Sequence, residues 1–141
     1  MSVLLLAVIL SFIHLDGPQH DCAAYQDRFV EAAEEAGVDS QGLARRFQEA
    51  LDCFGPPSED TGAQIQRLFH HMVDAHYDAG RHEAAFRTID RFFEVFAGYE
   101  APNLYYRMYQ WKGFIHFARS ELGQAVQSYA RSFAYAEDVA P

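Results

Sequence analysis

From residue 22 onward apolar positions recur at spacings of three and four, and no stretch shows the strict alternation of a half-buried strand. The pattern breaks at Gly37 to Ser40, Gly55-Pro56-Pro57-Ser58, Ala79-Gly80, Gly98 to Asn103, and a tight corner near Ser120. Thr61 and Asn103 read as N-caps, because a short polar side chain satisfies the first free N–H groups of a helix. Gly37, Gly80 and Gly98 read as helix ends, where glycine tolerates a left-handed closing turn. The spacing predicts six helices, near 22–36, 40–54, 61–79, 81–97, 103–119 and 121–137. Short connections pair them into three antiparallel hairpins over about 22–54, 61–97 and 103–137. The expected fold class is all-α, with one helical domain over 22–141 preceded by an apolar segment and linker over 1–21.

The hairpins echo one another. Ala85 and Ala125, His76 and His116, and Ile89 and Tyr129 are each 40 residues apart. In the third hairpin Gly113 lies in the first helix, Ala125 early in the second, and Tyr129 one turn further on. Small residues let helix backbones approach, and a larger side chain fills the space toward the next unit. Ala85, Ile89, Gly113, Ala125 and Tyr129 are therefore the expected packing positions. The first hairpin is more diverged, although Phe47, Ala50 and Leu51 fit the second helix of such a unit.

These residues resemble tetratricopeptide-type repeats over roughly residues 23–137. The stretch Ala79 to Ala85, AGRHEAA, is similar to that family's inter-helix turn and packing alanine, and Gly113, Ala125 and Tyr129 to its small, small and aromatic positions. Two departures stand out. The period is 40 and not the family's 34, and His76, His116, Ala97 and Glu137 stand where the family prefers a large aromatic or a proline. The resemblance implies a right-handed solenoid of stacked hairpins whose concave face binds peptides or proteins, and it implies no catalysis. Arrays of this kind often stand ahead of signalling domains in bacterial sensors.

The apolar run Val3 to Ile13, VLLLAVILSFI, would be about 16 Å long as a helix, against roughly 30 Å of bilayer hydrocarbon, so it does not span a membrane alone. Its length fits the centre of a secretory signal, with Gly17-Pro18 as a helix break and Cys22-Ala23-Ala24 as small residues for cleavage. No Lys or Arg precedes it, and Asp16 and Asp21 lie before the cleavage point, so a folded first helix or strand of the domain stays open. The signal reading places the protein outside the cytoplasm, periplasmic or secreted; the other leaves it cytoplasmic.

The cysteines bear on the same question. Cys22 and Cys53 are centred on the turn Gly37-Val38-Asp39-Ser40, and residues equidistant from the turn of an antiparallel hairpin lie level. With both side chains inward the sulfurs meet, and a disulfide there stabilises by about 3–4 kcal/mol in the chain-entropy model. Two separate buried thiols remain the alternative. A metal is not expected, because the pair lacks the close spacing of a zinc module.

Charge narrows the partners. The net charge of −9 argues against sequence-independent nucleic-acid binding, which needs a basic surface. It is unevenly spread: residues 1–66 hold 11 acids and 3 bases, whereas 67–141 hold 9 acids and 8 bases. With half the residues hydrophobic, and with Phe 12, Tyr 8 and Trp 1, the chain has the composition to build a core.

His70, His71, His76 and His82 cluster with Asp74 and Asp78, but they form no metal-ligand motif, and His76 and His116 read as packing residues. Glu31, Glu34 and Glu35 read as a solvated face. There is no glycine-rich phosphate loop, no nucleophile elbow and no convergent acid–base pair. Neither catalysis nor a cofactor is expected.

In repeats of this kind the first helix of each hairpin lines the concave surface. Arg67, His70, Asp74 and Tyr77 share a face of one such helix, and Arg107, Gln110, Phe114 and Phe117 a face of the next. Arg67 and Arg107 are again 40 apart, and two guanidiniums among aromatics suit an acidic or C-terminal-carboxylate peptide. The Lys and Asn residues with which family members grip a C-terminal carboxylate are not matched. The last hairpin has no polar capping helix after it, which predicts an apolar surface around Tyr129 and Phe133 for another repeat, another chain or self-association. The function expected is a non-enzymatic, exported protein- or peptide-binding module, part of a larger signalling or scaffold protein or self-associating. The alternative is a cytosolic regulator whose N-terminal segment docks on the array.

Overall fold

The computed structural model of the chain describes residues 21–35, 39–99 and 101–137. Six helices and no strand occur among them: α1 (Cys22–Glu34), α2 (Ser40–Phe54), α3 (Gly62–Asp78), α4 (His82–Val95), α5 (Pro102–Ala118) and α6 (Leu122–Glu137). The segment Val3 to Ile13 and the turn glycine Gly37 lie outside the described residues.

Local chemistry explains most of the ends. The Asp39 side chain accepts a bond of 2.6 Å from the Gly42 N–H and caps α2. Pro102 opens α5 in the first turn, where its missing N–H costs nothing. α3 and α5 close in the same way. The Gly80 N–H donates to the Tyr77 carbonyl (2.9 Å) and Arg81 N–H to that of His76 (2.8 Å). Ser120 N–H donates to Phe117 (2.9 Å) and Glu121 N–H to His116 (2.9 Å). Both are left-handed helix closures with two crossed bonds, at φ +68° for Gly80 and +61° for Ser120.

Three expected end signals resolve differently. Thr61 precedes α3, but its hydroxyl pairs with Ser58, accepting from the Ser58 N–H (3.2 Å), and does not cap the helix. Asn103 lies inside α5, because Pro102 starts the helix one residue earlier. Gly98 ends no helix: α4 stops at Val95 with Phe96 as its cap. The Tyr105 hydroxyl reaches back to the carbonyls of Phe96 (2.8 Å) and Tyr99 (3.1 Å), so a tertiary contact holds this connection closed.

Each helix packs most extensively on its hairpin partner: α1 on α2, α3 on α4, α5 on α6. Between hairpins α1 touches α3 and α3 touches α5, while α2 packs on α3 and α4 on α5. The backbones of successive second helices do not pack closely on each other among the described residues, although the Arg91 guanidinium of α4 donates to the Gln48 side chain of α2 and lies over the Phe47 ring. The first helices thus form a continuous row.

A chain of aromatic rings runs through the core. Phe29 meets Phe47 at 5.4 Å, Phe47 meets Phe69 at 5.1 Å, Phe69 meets Phe92 at 5.5 Å, and Phe92 meets Tyr105 at 5.9 Å. It crosses from α1 through α5, each pair adding about 0.5–1.5 kcal/mol beyond simple burial. Ala85, Ile89 and Ala125 are buried as expected, and Phe47, Ala50 and Leu51 are buried on α2. Gly113 is buried directly beneath Tyr129: a Cβ there would lie 2.7 Å from the ring.

Cys22 and Cys53 form a disulfide that joins the start of α1 to the end of α2, with Cα atoms 5.6 Å apart. It closes the first hairpin at the end opposite its turn, as the symmetric placement of the cysteines requires.

Candidate functional site

The row of first helices leaves three concavities. The largest, about 900 Å³, lies between the N-terminal halves of α3 and α5 and includes Gln66, Arg67, His70, Asn103, Tyr106 and Arg107 in its lining. The second, about 290 Å³, follows further along the same two helices and is lined by His70, Asp74, Tyr77, Asp78, Arg107, Gln110, Trp111 and Phe114. The third, about 640 Å³, lies between α1 and α3, where Glu34, Glu35, Asp74, Asp78 and Arg81 contribute. Arg67, His70, Asp74, Tyr77, Arg107, Gln110 and Phe114 thus all line the first or second cavity. Phe117 lines neither and is 61% exposed.

The helical period explains the order of groups. Arg67 and Arg107 stand level near the N-terminal ends of α3 and α5, exposed at the mouth of the large cavity. Two and three turns further on α3 presents Asp74 and Asp78, and one and two turns further on α5 presents Trp111 and Phe114. Tyr77, Trp111 and Phe114 form a connected wall, with ring centres 5.6 Å apart for the first pair and 6.1 Å for the second.

His70 joins the two cavities. Trp111 Nε1–H donates to His70 Nδ1 at 2.9 Å, which leaves the imidazole proton on Nε2. Burial, with the neighbouring His71 adding to it, lowers the His70 pKa; Asp74 pulls it up and Arg107 pushes it down. The ring is a neutral donor at pH 7.

The large cavity is rich in donors and has no acidic side chain in its lining among the described residues. Gln66 is 5% exposed, and its Nε2 has no hydrogen-bond partner among the described residues. The Tyr106 hydroxyl accepts from Gln110 Nε2 at 2.9 Å, so its own proton remains to be donated. With two guanidiniums at the mouth, this is the chemistry of an anion site.

Sequence reasoning did not find Gln66, Trp111, Tyr106 or Asp78 in this role. Trp111 carries a readable signal, being four residues beyond Arg107 on the same helix. Gln66 carries none, since its burial follows from the packing of neighbouring helices.

His70 and His71 meet edge to face at 5.7 Å, and no group of three or more His, Cys, Asp or Glu side chains among the described residues is placed to hold a metal. His76 is buried, and His116 packs on Phe86 at 4.6 Å while its Nδ1 pairs with Glu121 at 2.7 Å. Glu34 and Glu35 are exposed at the edge of the third cavity. No helix among the described residues is long and apolar enough to cross a membrane. No protein-family model, no curated protein and no solved structure matches this chain.

Proposed function

We propose that the protein is a non-enzymatic peptide- or protein-binding repeat module of tetratricopeptide-like character, a right-handed solenoid whose concave face is the row α1, α3, α5. Its ligand is an acidic segment or a C-terminal carboxylate held between Arg67 and Arg107. The observation that carries this reading is the donor-lined cavity of about 900 Å³, with both guanidiniums at its mouth and the unpartnered amide of Gln66 in its wall. A carboxylate is the complement of such a set, and Arg binds it in a planar, two-pronged geometry. The test is binding of a labelled peptide with a free C-terminus, monitored by fluorescence anisotropy. Arg67→Ala combined with Arg107→Ala abolishes capture; unchanged affinity sinks the groove.

The working compartment is extracytoplasmic. The Cys22–Cys53 bond supports this, because disulfides persist where the medium is oxidising. The intact mass of the native protein, with and without reductant, decides it. A chain shortened by about 20 residues, so that Cys22 is retained, and that gains two hydrogens on reduction agrees with export. A full-length chain with two free thiols removes it and favours a cytosolic regulator.

A further inference from the structure

The cavity of about 290 Å³ continues the groove away from the anion site and changes its chemistry. Its walls are the rings of Tyr77, Trp111 and Phe114, with Asp74 and Asp78 on the α3 side. Neither carboxylate takes part in an ion pair among the described residues. Trp111 is held in place by its bond to His70, so the ring face is presented by a fixed side chain. An apolar wall bearing two unpaired carboxylates takes up a cation: aromatic faces attract it through their quadrupole, and carboxylates through charge.

The positive groups nearby decide where that cation sits. Arg107 borders this cavity as well, one turn before Trp111 on α5. It repels a cation at its own end and leaves the Asp74–Asp78 end favourable. His70, kept neutral by burial, adds no repulsion. On the far side of α3, Glu34 and Glu35 extend the acidic surface, in a cavity that Arg81, His70 and His71 also line. The groove is therefore bipolar along its length, basic at Arg67 and Arg107, with the aromatic wall beginning one turn further on and the carboxylates two to three turns on, an axial separation of about 10–17 Å between the backbone positions of Arg67 and the two acids.

The geometry points to a basic side chain of the ligand, a lysine or arginine whose charge lies between Asp74, Asp78 and the face of Trp111 while its neighbouring carboxylate lies on Arg67 and Arg107. This rests on the peptide-binding reading above and names the class of peptide: one with a basic residue at or next to a C-terminal carboxylate. A lysine's four-carbon stem spans about one helical turn with its methylenes along the rings, and the long side chains of Arg67 and Arg107 supply the remaining reach toward its carboxylate.

The experiment uses the oxidised full chain and two labelled hexapeptides with free C-termini, identical except for a last residue of lysine or norleucine. Norleucine keeps the stem and removes the charge. The lysine peptide binds about tenfold more tightly at low salt, and the preference shrinks as salt rises. Asp74→Asn with Asp78→Asn brings the lysine peptide down to the norleucine level and leaves norleucine affinity within about twofold. If both peptides bind alike, and Arg67→Ala with Arg107→Ala loses both, the basic subsite falls and the peptide groove stands. If the two Asn substitutions weaken both peptides equally, the subsite falls as well. If neither peptide binds at millimolar concentration, both readings fall.

Discussion

At Gly80 the chain leaves α3 with φ +68°, and 40 residues later it leaves α5 at Ser120 with φ +61° and the same pair of crossed backbone bonds. The second and third hairpins share that corner, with His76 and His116 and Ala85 and Ala125 at equivalent positions, yet other packing pairs differ. Val73 and Ile89 of the second hairpin correspond to Gly113 and Tyr129 of the third, so loss of a side chain on one helix is matched by a larger one on the other. Phe93 lies against Tyr105 (5.7 Å) and Tyr109 (4.8 Å) of the following helix, whereas its counterpart Phe133 has no following helix among the described residues and is 68% exposed. Backbone hydrogen bonding fixes the plan of a hairpin, and packing is then settled pair by pair according to what stands next in the row.

The sharpest way to break this comparison is to graft one side of a matched pair onto the other hairpin. Gly113→Val puts the second hairpin's residue under Tyr129, where even a Cβ is too close. The expected loss is about 3 kcal/mol, from overpacking against a ring with little room to move. Adding Tyr129→Ile restores the small pair and recovers most of it, so urea melts of the two single variants and the double variant give a large favourable coupling. Additive losses would show that Gly113 and Tyr129 are not compensating partners.

Next in size is the contrast between covered and uncovered aromatics. Phe93→Ala removes a ring packed on two tyrosines and costs about 2 kcal/mol. Phe133→Ala changes stability by less than about 0.5 kcal/mol in the monomer, because its ring is already in water. Leu122 and Val126, 60% and 68% exposed, share the face of α6 with it. A comparable loss at both positions, measured in dilute solution, would mean that another surface covers Phe133. The corner itself gives a smaller effect. Ser120→Gly removes a left-handed penalty of about 1 kcal/mol and raises the melting temperature, while Gly80→Ser introduces that penalty and lowers it.

The fold was legible to the extent that it is written locally. Six helices followed from the apolar period and the breaks, and two cysteines equidistant from one turn made the Cys22–Cys53 bond one of two open readings, which the structure decides in its favour. The misread ends show the limit. The connection after α4 is closed by the Tyr105 hydroxyl reaching back nine residues to Phe96, and Thr61 turns to Ser58 when a cap would also have satisfied it. In the groove, seven of the eight residues chosen by helical spacing line the two cavities, Phe117 being the exception, because first helices of neighbouring hairpins lie side by side. What spacing did not reveal is the Trp111–His70 bond between residues 41 apart, or the burial of Gln66, both of which arise only when α3 meets α5.

The smallest effect concerns the histidines at the equivalent positions 76 and 116. His116 faces Glu121, and that hydrogen bond, with Arg119 behind it, holds the Glu121 carboxyl below the usual carboxylate range. The residue equivalent to Glu121 in the second hairpin is Arg81. His76 therefore lacks the acid that His116 faces: burial first, then Arg81 and Arg87, lowers its pKa below 6.5, and its Nδ1 has no hydrogen-bond partner among the described residues. A histidine with a depressed folded pKa stays neutral in the native state while the unfolded chain takes up a proton. Its contribution to stability is thus complete above about pH 6.5 and lost as the pH falls toward the folded pKa, by at most about 1.4 kcal/mol per pH unit. Arg81→Glu copies the third hairpin's arrangement. It replaces a repelling charge with an attracting one, raises the His76 pKa, and flattens the acid side of the stability profile. Titration of the His76 ring signals by NMR reads the shift directly. An unmoved pKa in the variant would mean that burial alone sets it, and that the exchange of Arg81 for Glu121 between the hairpins has no electrostatic consequence for the histidine.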